Sequence, residues 1–504
     1  MIDPAQLPAL LVVIPILAAV VPLILGIRVK DTGWSVATVV TGAVLLGAFW
    51  ASVIVYTGDG PIIHNLGGFE RPIGIELVID RFSAGISLLV ASVSFAVLSY
   101  TRIGGPRGNT FYAGYLLLVG GLMGVTLTGD IFNLFVFLEI TGIATYALVA
   151  RGRGGGAAFA ALKYLILGTL GASLYLVGVG FLFVASGTLN MIDLGDSLAT
   201  IGYDDPLIRA GFAFILIGFS IKVAQWPVHT WQPDAYQRAP DGVTPLIAAL
   251  VSTVSAYALG RVLYTVFTPE FLVETPFASE LVVAIGSVSV VAGSILAVAQ
   301  WDVKRMLAYS SVAHFGMIVA AFGLVNETAL LGAMVHLIGH GVMKVGLFVG
   351  VGLIAAAVGV RTIDEYAGMA RKRPFAAGAI ALLGIALVGI PPSIGFLGKW
   401  YIAVGAVEAS SWVVAGVIFL STMLTLAYVA KLGERMYFQG DTGPSHRVRS
   451  TPLLADGGSM MTRPTSVGMR GLLVVVAVVA IVLGFLGAGF EAAFGPFVEE
   501  VFRG

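Results

Sequence analysis

The sequence of 504 residues contains no cysteine, and only 11% of its residues are charged. Without cysteine the chain forms no disulfide bonds and offers no thiolate ligands to an iron–sulfur cluster or a metal ion. Charged residues make up about 25% of an ordinary soluble domain, so this low fraction argues against a soluble class. The formal net charge is zero, which gives no argument for nucleic-acid binding.

The chain also lacks the short motifs of several catalytic classes. No nucleotide-binding loop, nucleophile elbow or redox-centre motif occurs, and glycine pairs such as Gly120-Gly121 lie inside apolar runs. Residues 1–8 contain Asp3 and no basic residue, so no cleaved signal peptide is evident. The sequence therefore shows nothing with which the chain could carry electrons or hydrolyse ATP itself, and we expect no cofactor and no bound metal.

Apolar residues dominate the chain, at 58%, and glycine is abundant, with 65 residues. About 20 apolar residues form a helix that spans a bilayer, and glycine lets such helices pack closely. These runs predict an all-α polytopic membrane protein with about fourteen transmembrane helices. The predicted spans are residues 8–27, 34–57, 81–101, 111–129, 131–150, 158–186, 208–226 with a continuation, 243–266, 277–299, 306–325, 328–358, 375–407 with a break, 411–437 and 470–495.

The loop arginines and lysines support this count, because cytoplasmic loops of membrane proteins collect basic residues. With fourteen helices, most of these residues fall on one side. The other side carries only Arg71, Arg81, Arg209, Arg261 and Arg503. We therefore predict a multi-pass protein of the cell membrane with both termini outside.

Four lysines remain inside predicted helices: Lys163, Lys222, Lys344 and Lys399. Glu139 is an intramembrane acid. Such residues are costly in lipid and are functional-site hypotheses by default. A buried lysine tends to lose its proton and a nearby carboxylate restores the charge, so Lys222 and Glu139 together can act as a proton relay. The alternative is a static ion pair that positions two helices.

Prolines predict two helix breaks, at Pro227 beside Lys222 and at Pro391-Pro392 beside Lys399. The two breaks lie five helices apart. Because five is an odd number of membrane crossings, the two units have opposite orientations in the membrane, which predicts two inverted five-helix repeats, each with one broken helix. The predicted division is residues 1–107 for helices 1–3, 108–266 for the first repeat, 267–437 for the second repeat, and 438–504 for a polar loop and helix 14.

Further polar residues on the apolar helices have more than one explanation. His336, His340 and Lys344 are spaced i, i+4, i+8, which suits proton hopping, helix–helix hydrogen bonds or, less well, a haem or metal. Lys163 and Lys399 either join the relay or extend towards the membrane surface. His314 either brings water into the core or is an ordinary packed core residue. The remaining candidates are His229 and Asp234, as a proton entry path or a solvated loop, and His64 and His446, as ordinary loop residues.

Two connecting segments have recognisable patterns. The loop of residues 58–80 alternates short apolar pieces and predicts a small hairpin. The loop of residues 437–469 is polar and rich in glycine, proline and serine, which predicts a flexible connection.

Several stretches together resemble the proton-translocating, antiporter-like membrane subunits shared by respiratory complex I, membrane-bound hydrogenases and Mrp-type multisubunit Na+/H+ antiporters. They are GDIFNLFVFLEITGIATYALVA, ALKYLILGTLGASLYLVGVG, KVAQWPVHTWQPDAYQRAPDGVTPLIAAL, WDVKRMLAYSSVAHFGM, HLIGHGVMKVGLF and GIPPSIGFLGKW, and they cover most of residues 110–405. Within the family, SGTLNMIDL and NLFVFLEI are most similar to the Mrp D subunit.

The resemblance implies a central hydrophilic axis, with Glu139, Lys222 and Lys399 as the key proton carriers. His336, His340 and Lys344 would lie between them. It also implies a secondary transporter subunit rather than an enzyme, unless the chain belongs to a redox-driven complex. The partners would be other membrane subunits of a hetero-oligomeric complex, and the transported ions H+ and Na+. The alternative within the family is a proton-pumping subunit of a complex I-like or hydrogenase complex.

One position departs from the family pattern. The family carries a further lysine in helix 8, and here the matching stretch, STVSAYALGR, has Thr253 at that position. The middle of the relay would then depend on water, Thr253, Ser255 and Tyr257.

Overall fold

The computed structural model describes residues 3–58, 60–440 and 466–503, and they are almost entirely helical. Within these ranges, twelve helices are long and apolar enough to cross a membrane. They are Pro4–Leu25, Gly33–Thr57, Arg81–Ile103, Asn109–Leu127, Ile131–Ala150, Gly154–Ser186, Thr244–Val266, Ala278–Val298, Val303–Gly323, Glu327–Val358, Trp412–Tyr437 and Val467–Phe485. The all-α polytopic prediction is confirmed.

Two more segments reach a similar length only in two pieces. The first runs from Pro206–Lys222 through a short turn, Val228–Thr230, to Trp231–Arg238. The second is split into Pro374–Val388 and Ile394–Glu408. Proline cannot donate a backbone hydrogen bond and clashes with the preceding turn, which explains why both interruptions contain prolines. The exact count of fourteen and the inverted repeats remain predictions.

Shorter elements connect these helices. They are the helices Met191–Ile201, Thr268–Glu274, Met369–Lys372 and Gly487–Arg503 and the 3-10 turns Leu66–Gly68 and Asp364–Tyr366. The long helix Thr244–Val266 itself contains two π-helical turns, Ile247–Val251 and Val262–Val266. The predicted hairpin is confirmed: strands Ile62–Asn65 and Glu76–Ile79 pair antiparallel, with Ile62 opposite Ile79.

The most enclosed helices lie at the centre of the bundle. An apolar 18-residue stretch of Val303–Gly323 is wholly buried within the protein, and those of Glu327–Val358 and Thr244–Val266 are nearly so, whereas only 28% of the corresponding stretch of Trp412–Tyr437 is buried. Polar side chains on the three central helices are therefore shielded from lipid. Of the intramembrane candidates, Thr253, His314, His336, His340 and Lys344 are carried by these helices.

The end of the chain differs from the prediction of a single helix over residues 470–495. The helical segment that begins at Val467 ends at Phe485, and a separate helix, Gly487–Arg503, follows. The last helix buries Phe494 and Phe497. Three of its residues, Glu491, Glu499 and Glu500, are acidic. Such an amphipathic helix buries one face against the protein and keeps its charges in water, which explains why it does not continue the membrane span.

The loop of residues 437–469, predicted to be flexible, lies mostly outside the described residues, as does His446. His64 lies in the first strand of the hairpin, where its Nδ1 is 2.9 Å from the carbonyl oxygen of Ala5.

Candidate functional site

Lys222 and Glu139 form a largely buried ion pair between two membrane helices. Lys222 is the last residue of its helix, and its Nζ donates to Oε1 of Glu139 at 2.9 Å. Their side chains are only 8% and 22% exposed. A cation in the last turn of a helix is stabilised by the carbonyl end of the helix dipole as well as by its acid partner. The structure therefore unites the two residues that the sequence singled out.

Contacts of Trp231 fix the geometry of the helix break after Lys222. Gln225 lies in the turn of residues 223–227, and the helix resumes after Pro227. The indole Nε1 of Trp231 donates to the carbonyl oxygen of Ile221 at 2.8 Å, which satisfies one of the carbonyls freed by the break. The Trp231 ring also stacks on Tyr164, with ring centroids 3.9 Å apart. The two halves are thus fixed relative to each other.

Lys399 occupies an analogous place at the second break. Its Nζ donates to the carbonyl oxygens of Leu387, at 3.1 Å, and Val388, at 2.9 Å. These are the last carbonyls of the helix Pro374–Val388, so the buried ammonium group again lies at a helix C-terminus. The described residues give Lys399 no carboxylate partner, and Glu408 instead accepts a hydrogen bond from Asn326. Lys399 is thus held by backbone dipoles rather than by an acid.

The stripe of His336, His340 and Lys344 faces the central helix Val303–Gly323. All three side chains are fully buried. Nδ1 of His314 lies 2.8 Å from Nε2 of His336, which places His314 in the row of polar groups. Nε2 of His340 is 3.3 Å from the hydroxyl of Ser311. A hydrogen bond therefore joins His314 to His336, and the ring of His340 lies 6.0 Å from that of His314 inside the protein.

The two ends of this stripe have different surroundings. Lys344 donates to the carbonyl oxygen of Leu307 at 2.8 Å and to the hydroxyl of Ser310. At the other end, a Cβ at Gly398 would lie 2.8 Å from Cα and Nδ1 of His336. A side chain at Gly398 would clash, so this glycine lets the broken helix that carries Lys399 approach His336.

Thr253, on the helix Thr244–Val266, reaches the histidines, with its Oγ1 3.4 Å from Nδ1 of His340. That Ser255 and Tyr257 share this role stays a prediction. The hydroxyl of Ser255 donates to the carbonyl oxygen of Val251 in its own helix. The hydroxyl of Tyr257 donates to the carbonyl oxygen of Thr126 and accepts from Arg261.

Lys163 belongs to a different cluster. Its Nζ donates to Asp234 at 2.8 Å, and Asp234 also accepts from Arg305 at 2.6 Å. These side chains are 24–31% exposed, which is less buried than the Lys222 pair. His229 is buried nearby, with its ring 5.8 Å from that of Tyr309. The cluster connects the second half of the broken helix Pro206–Arg238 to the central helix Val303–Gly323.

A second buried cluster of charged side chains, centred on Asp241, could not be predicted from the sequence. Asp241 accepts from Lys304 at 3.2 Å and from Arg361 at 3.0 Å. Burial alone would raise the pKa of Asp241, but these two cations hold it at about 2. From the sequence, Lys304 is an ordinary residue of a basic loop. Its acid partner, Asp241, lies 63 residues away in the chain, so no local pattern links the two. A lysine directly before an apolar helix carries no signal of its distant acid.

Within residues 3–58, 60–440 and 466–503, no group of three or more histidine, aspartate or glutamate residues could hold a metal ion. What this arrangement can do is hold and exchange protons. It joins amines, imidazoles and hydroxyls in the protein interior, where water cannot screen them.

Comparisons with known proteins match most of the chain. The family model described as NADH:quinone oxidoreductase/Mrp antiporter, TM, matches residues 128–425. NADH-quinone oxidoreductase subunit N of Desulforudis audaxviator is 39% identical over 88% of this chain and 89% of its own length. The Na(+)/H(+) antiporter D subunit of Bacillus subtilis is 28% identical over 97% of this chain and 96% of its own.

Two solved structures share the fold. A chain of the membrane-bound sulfane sulfur reductase, an archaeal respiratory membrane complex, has a TM-score of 0.87 and 30% identity, with 99% of this chain and 98% of that chain covered. A chain of the Mrp complex from Dietzia sp. also has a TM-score of 0.87, at 23% identity, with 100% and 98% covered.

Proposed function

Because the chain belongs to the NADH:quinone oxidoreductase/Mrp antiporter membrane family, we propose that it is the proton-translocating subunit of a multisubunit cation/proton antiporter. The coupled cation is Na+, which crosses either in this chain or in a partner subunit. The single observation that carries the proposal is the row of buried protonatable side chains through the bundle.

The row offers a proton a sequence of sites. The Glu139–Lys222 pair can exchange a proton when the two groups separate or hydrate, because the carboxylate stabilises the charged amine. His340, His314 and His336 follow, and histidine exchanges protons readily near neutral pH. The row ends at Lys399.

We propose that the chain works within a hetero-oligomeric assembly in the cell membrane, with both termini outside. Relatives and structural neighbours bear the names of such assemblies, including an Mrp complex and an archaeal respiratory membrane complex. Lys163 is a further candidate for the relay. Its contact with Asp234 would place it at a proton entry point rather than in the buried row.

A second candidate function is proton pumping in a redox-driven complex, where a partner subunit supplies the energy. The specific observation in its favour is the 39% identity to an NADH-quinone oxidoreductase subunit N, against 28% to the antiporter D subunit.

The test is proton flux in vesicles that contain the whole purified complex. An antiporter acidifies or alkalinises the lumen when a Na+ gradient is imposed, with no electron donor. A redox-driven subunit instead moves protons only when a donor and an acceptor are supplied, and its flux does not respond to Na+. The Lys222→Met complex serves as the inactive control in both arms. Absence of flux under both drives would contradict both candidates.

A further inference from the structure

A cavity lies at the place where two apolar helices begin, Pro374–Val388 and Val467–Phe485. Its volume is about 180 Å³. A single buried water needs about 10–15 Å³, whereas the pockets of drug-sized ligands measure about 300–1,000 Å³. The cavity is therefore too large for one water and suits a small chemical group.

Three cationic side chains line this cavity. Lys372 and Arg373 come from the segment directly before the first helix, and Arg470 lies near the start of the second. None of the nine described residues that line the cavity is acidic, and neither helix has an acidic residue in its first turn. Cations that share one cavity repel each other, so an anion between them would be stabilised.

The remainder of the cavity is apolar. Leu353, Ala376 and Leu473 are at most 5% exposed and form its floor. At its rim, Phe375 and Val474 are 73% and 40% exposed. A site for a free inorganic anion does not need exposed apolar residues at its edge. A phospholipid presents a phosphate beside hydrocarbon chains, and this combination matches the lining of the cavity.

The position of the cavity relative to the membrane also favours a lipid. Residues 371–373 and 470 lie on the side predicted to face the cytoplasm, together with most of the other loop arginines and lysines. Anionic phospholipids give the cytoplasmic leaflet its negative surface potential, and basic pockets between membrane helices on that side bind their headgroups.

We propose that this cavity binds the phosphate headgroup of an anionic phospholipid. Lys372, Arg373 and Arg470 contact the phosphate. The acyl chains lie beside Phe375 and Val474. The three cations come from two segments that are far apart in the chain, so the bound headgroup joins them.

The bound lipid connects the start of Pro374–Val388 to the start of Val467–Phe485. The other end of Pro374–Val388 holds Lys399 through the carbonyl oxygens of Leu387 and Val388. The headgroup therefore anchors the half-helix whose last carbonyls bind the buried ammonium group. Binding of the lipid does not require that the chain conduct protons, so this inference stands apart from the proposed function.

The test places a fluorescent reporter at the rim of the cavity, in the whole complex reconstituted in phosphatidylcholine bilayers. Phe375→Trp puts an indole beside the proposed acyl chains, and the complex without this substitution gives the background of the native tryptophans. Phosphatidylglycerol with brominated chains quenches a tryptophan that it contacts. We expect saturable quenching at a low fraction of phosphatidylglycerol and much weaker quenching by brominated phosphatidylcholine.

Two matched variants, made in the reporter complex, separate a specific site from general attraction to a charged surface. Arg373→Gln and Arg371→Gln each remove one positive charge from the same segment, but only Arg373 lines the cavity. Arg373→Gln should raise the half-quenching fraction of phosphatidylglycerol about tenfold or more, because it removes a hydrogen bond between charged groups. Arg371 is exposed and acts only through a screened field, so Arg371→Gln should stay within about twofold of wild type.

The amount of phosphatidylglycerol that remains bound through purification gives a second readout, which does not need the tryptophan. Complexes with Arg371→Gln should retain the wild-type amount, and complexes with Arg373→Gln should retain less. Thermal unfolding of both variants in phosphatidylcholine alone should match that of wild type, which separates lost binding from misfolding.

Equal shifts in Arg373→Gln and Arg371→Gln would overturn the proposal, because they would indicate only a diffuse effect of charge. Equal quenching by brominated phosphatidylcholine, or quenching that never saturates, would overturn it as well. Relief of the quenching by millimolar inorganic phosphate would assign the cavity to a free anion instead of a lipid.

Discussion

Removing one partner of the Lys222–Glu139 pair should cost both stability and transport. The Nζ–Oε1 distance is 2.9 Å, and in an effective dielectric of about 20 this corresponds to an attraction of about 6 kcal/mol. Because burial also strips water from both charges, the expected loss on deleting one partner is about 3–5 kcal/mol. Glu139→Gln and Lys222→Met should each destabilise the protein by this amount.

The double variant Glu139→Gln/Lys222→Met distinguishes a relay from a static ion pair. Removing both charges leaves no uncompensated charge in the interior, so the unfolding free energy should return to within about 1–2 kcal/mol of wild type. Transport should not return, because both proton-exchanging groups are gone. Stability would be measured by thermal or denaturant unfolding in detergent, and transport by proton flux in vesicles.

An exposed pair of equal length provides the control. Arg503 and Glu499 also lie 2.9 Å apart, but their side chains are 72% and 53% exposed. Exposed pairs contribute about 0–1 kcal/mol, so Glu499→Gln should change neither unfolding nor flux measurably. Proton transport at the wild-type rate by the double variant, or by both single variants, would show that the pair is not part of the proton path.

Two further predictions concern the neighbouring clusters. Asp241→Asn should destabilise the protein by about 2 kcal/mol at pH 7, because the pKa of Asp241 is lowered from 3.8 to about 2 in the folded state. The stability that the ionised Asp241 provides is fully present above pH about 4 and is lost as the pH falls through about 2. The unfolding temperatures of variant and wild type should therefore converge in acid. An undiminished difference at pH 2 would contradict the lowered pKa of Asp241. Lys163→Gln should lower proton flux less than about tenfold, because Asp234 keeps its contact with Arg305. Flux at background in vesicles would instead place Lys163 in the obligatory path.

Much of the architecture could be predicted because it follows from local physics. Apolar runs define the spans, and the prolines at Pro227 and Pro391-Pro392 mark where two helices stop. The intramembrane lysines stand out by elimination, because every other basic residue fits a predicted loop or helix end. Even the short hairpin is evident from the alternation of apolar residues.

What could not be predicted depends on contacts between distant segments. The sequence does not show that Lys304 lies beside Asp241, nor that His314 on one helix contacts His336 on the next. Hydroxyl groups are equally ambiguous: the sequence places Ser255 on the relay helix, yet its hydroxyl bonds its own backbone.

The helix at the end of the chain illustrates a further limit. Phe490 and Phe494 continue the apolar pattern, so hydropathy extends one span to residue 495. The structure ends the span at Phe485 and turns these aromatic residues onto the protein in a separate amphipathic helix. Hydropathy alone does not separate a helix that spans the membrane from one that lies along the bundle.

In the proposed function, one proton path runs in series from Lys222 to Lys399. The most direct measurement is proton flux in vesicles containing the whole complex with Lys222→Met, Lys399→Met or both. A series path predicts that each single variant conducts only at background and that the double variant is no lower. Single variants that each retain about half of the wild-type flux, with loss only in the double variant, would show two independent paths and rule out a path in series.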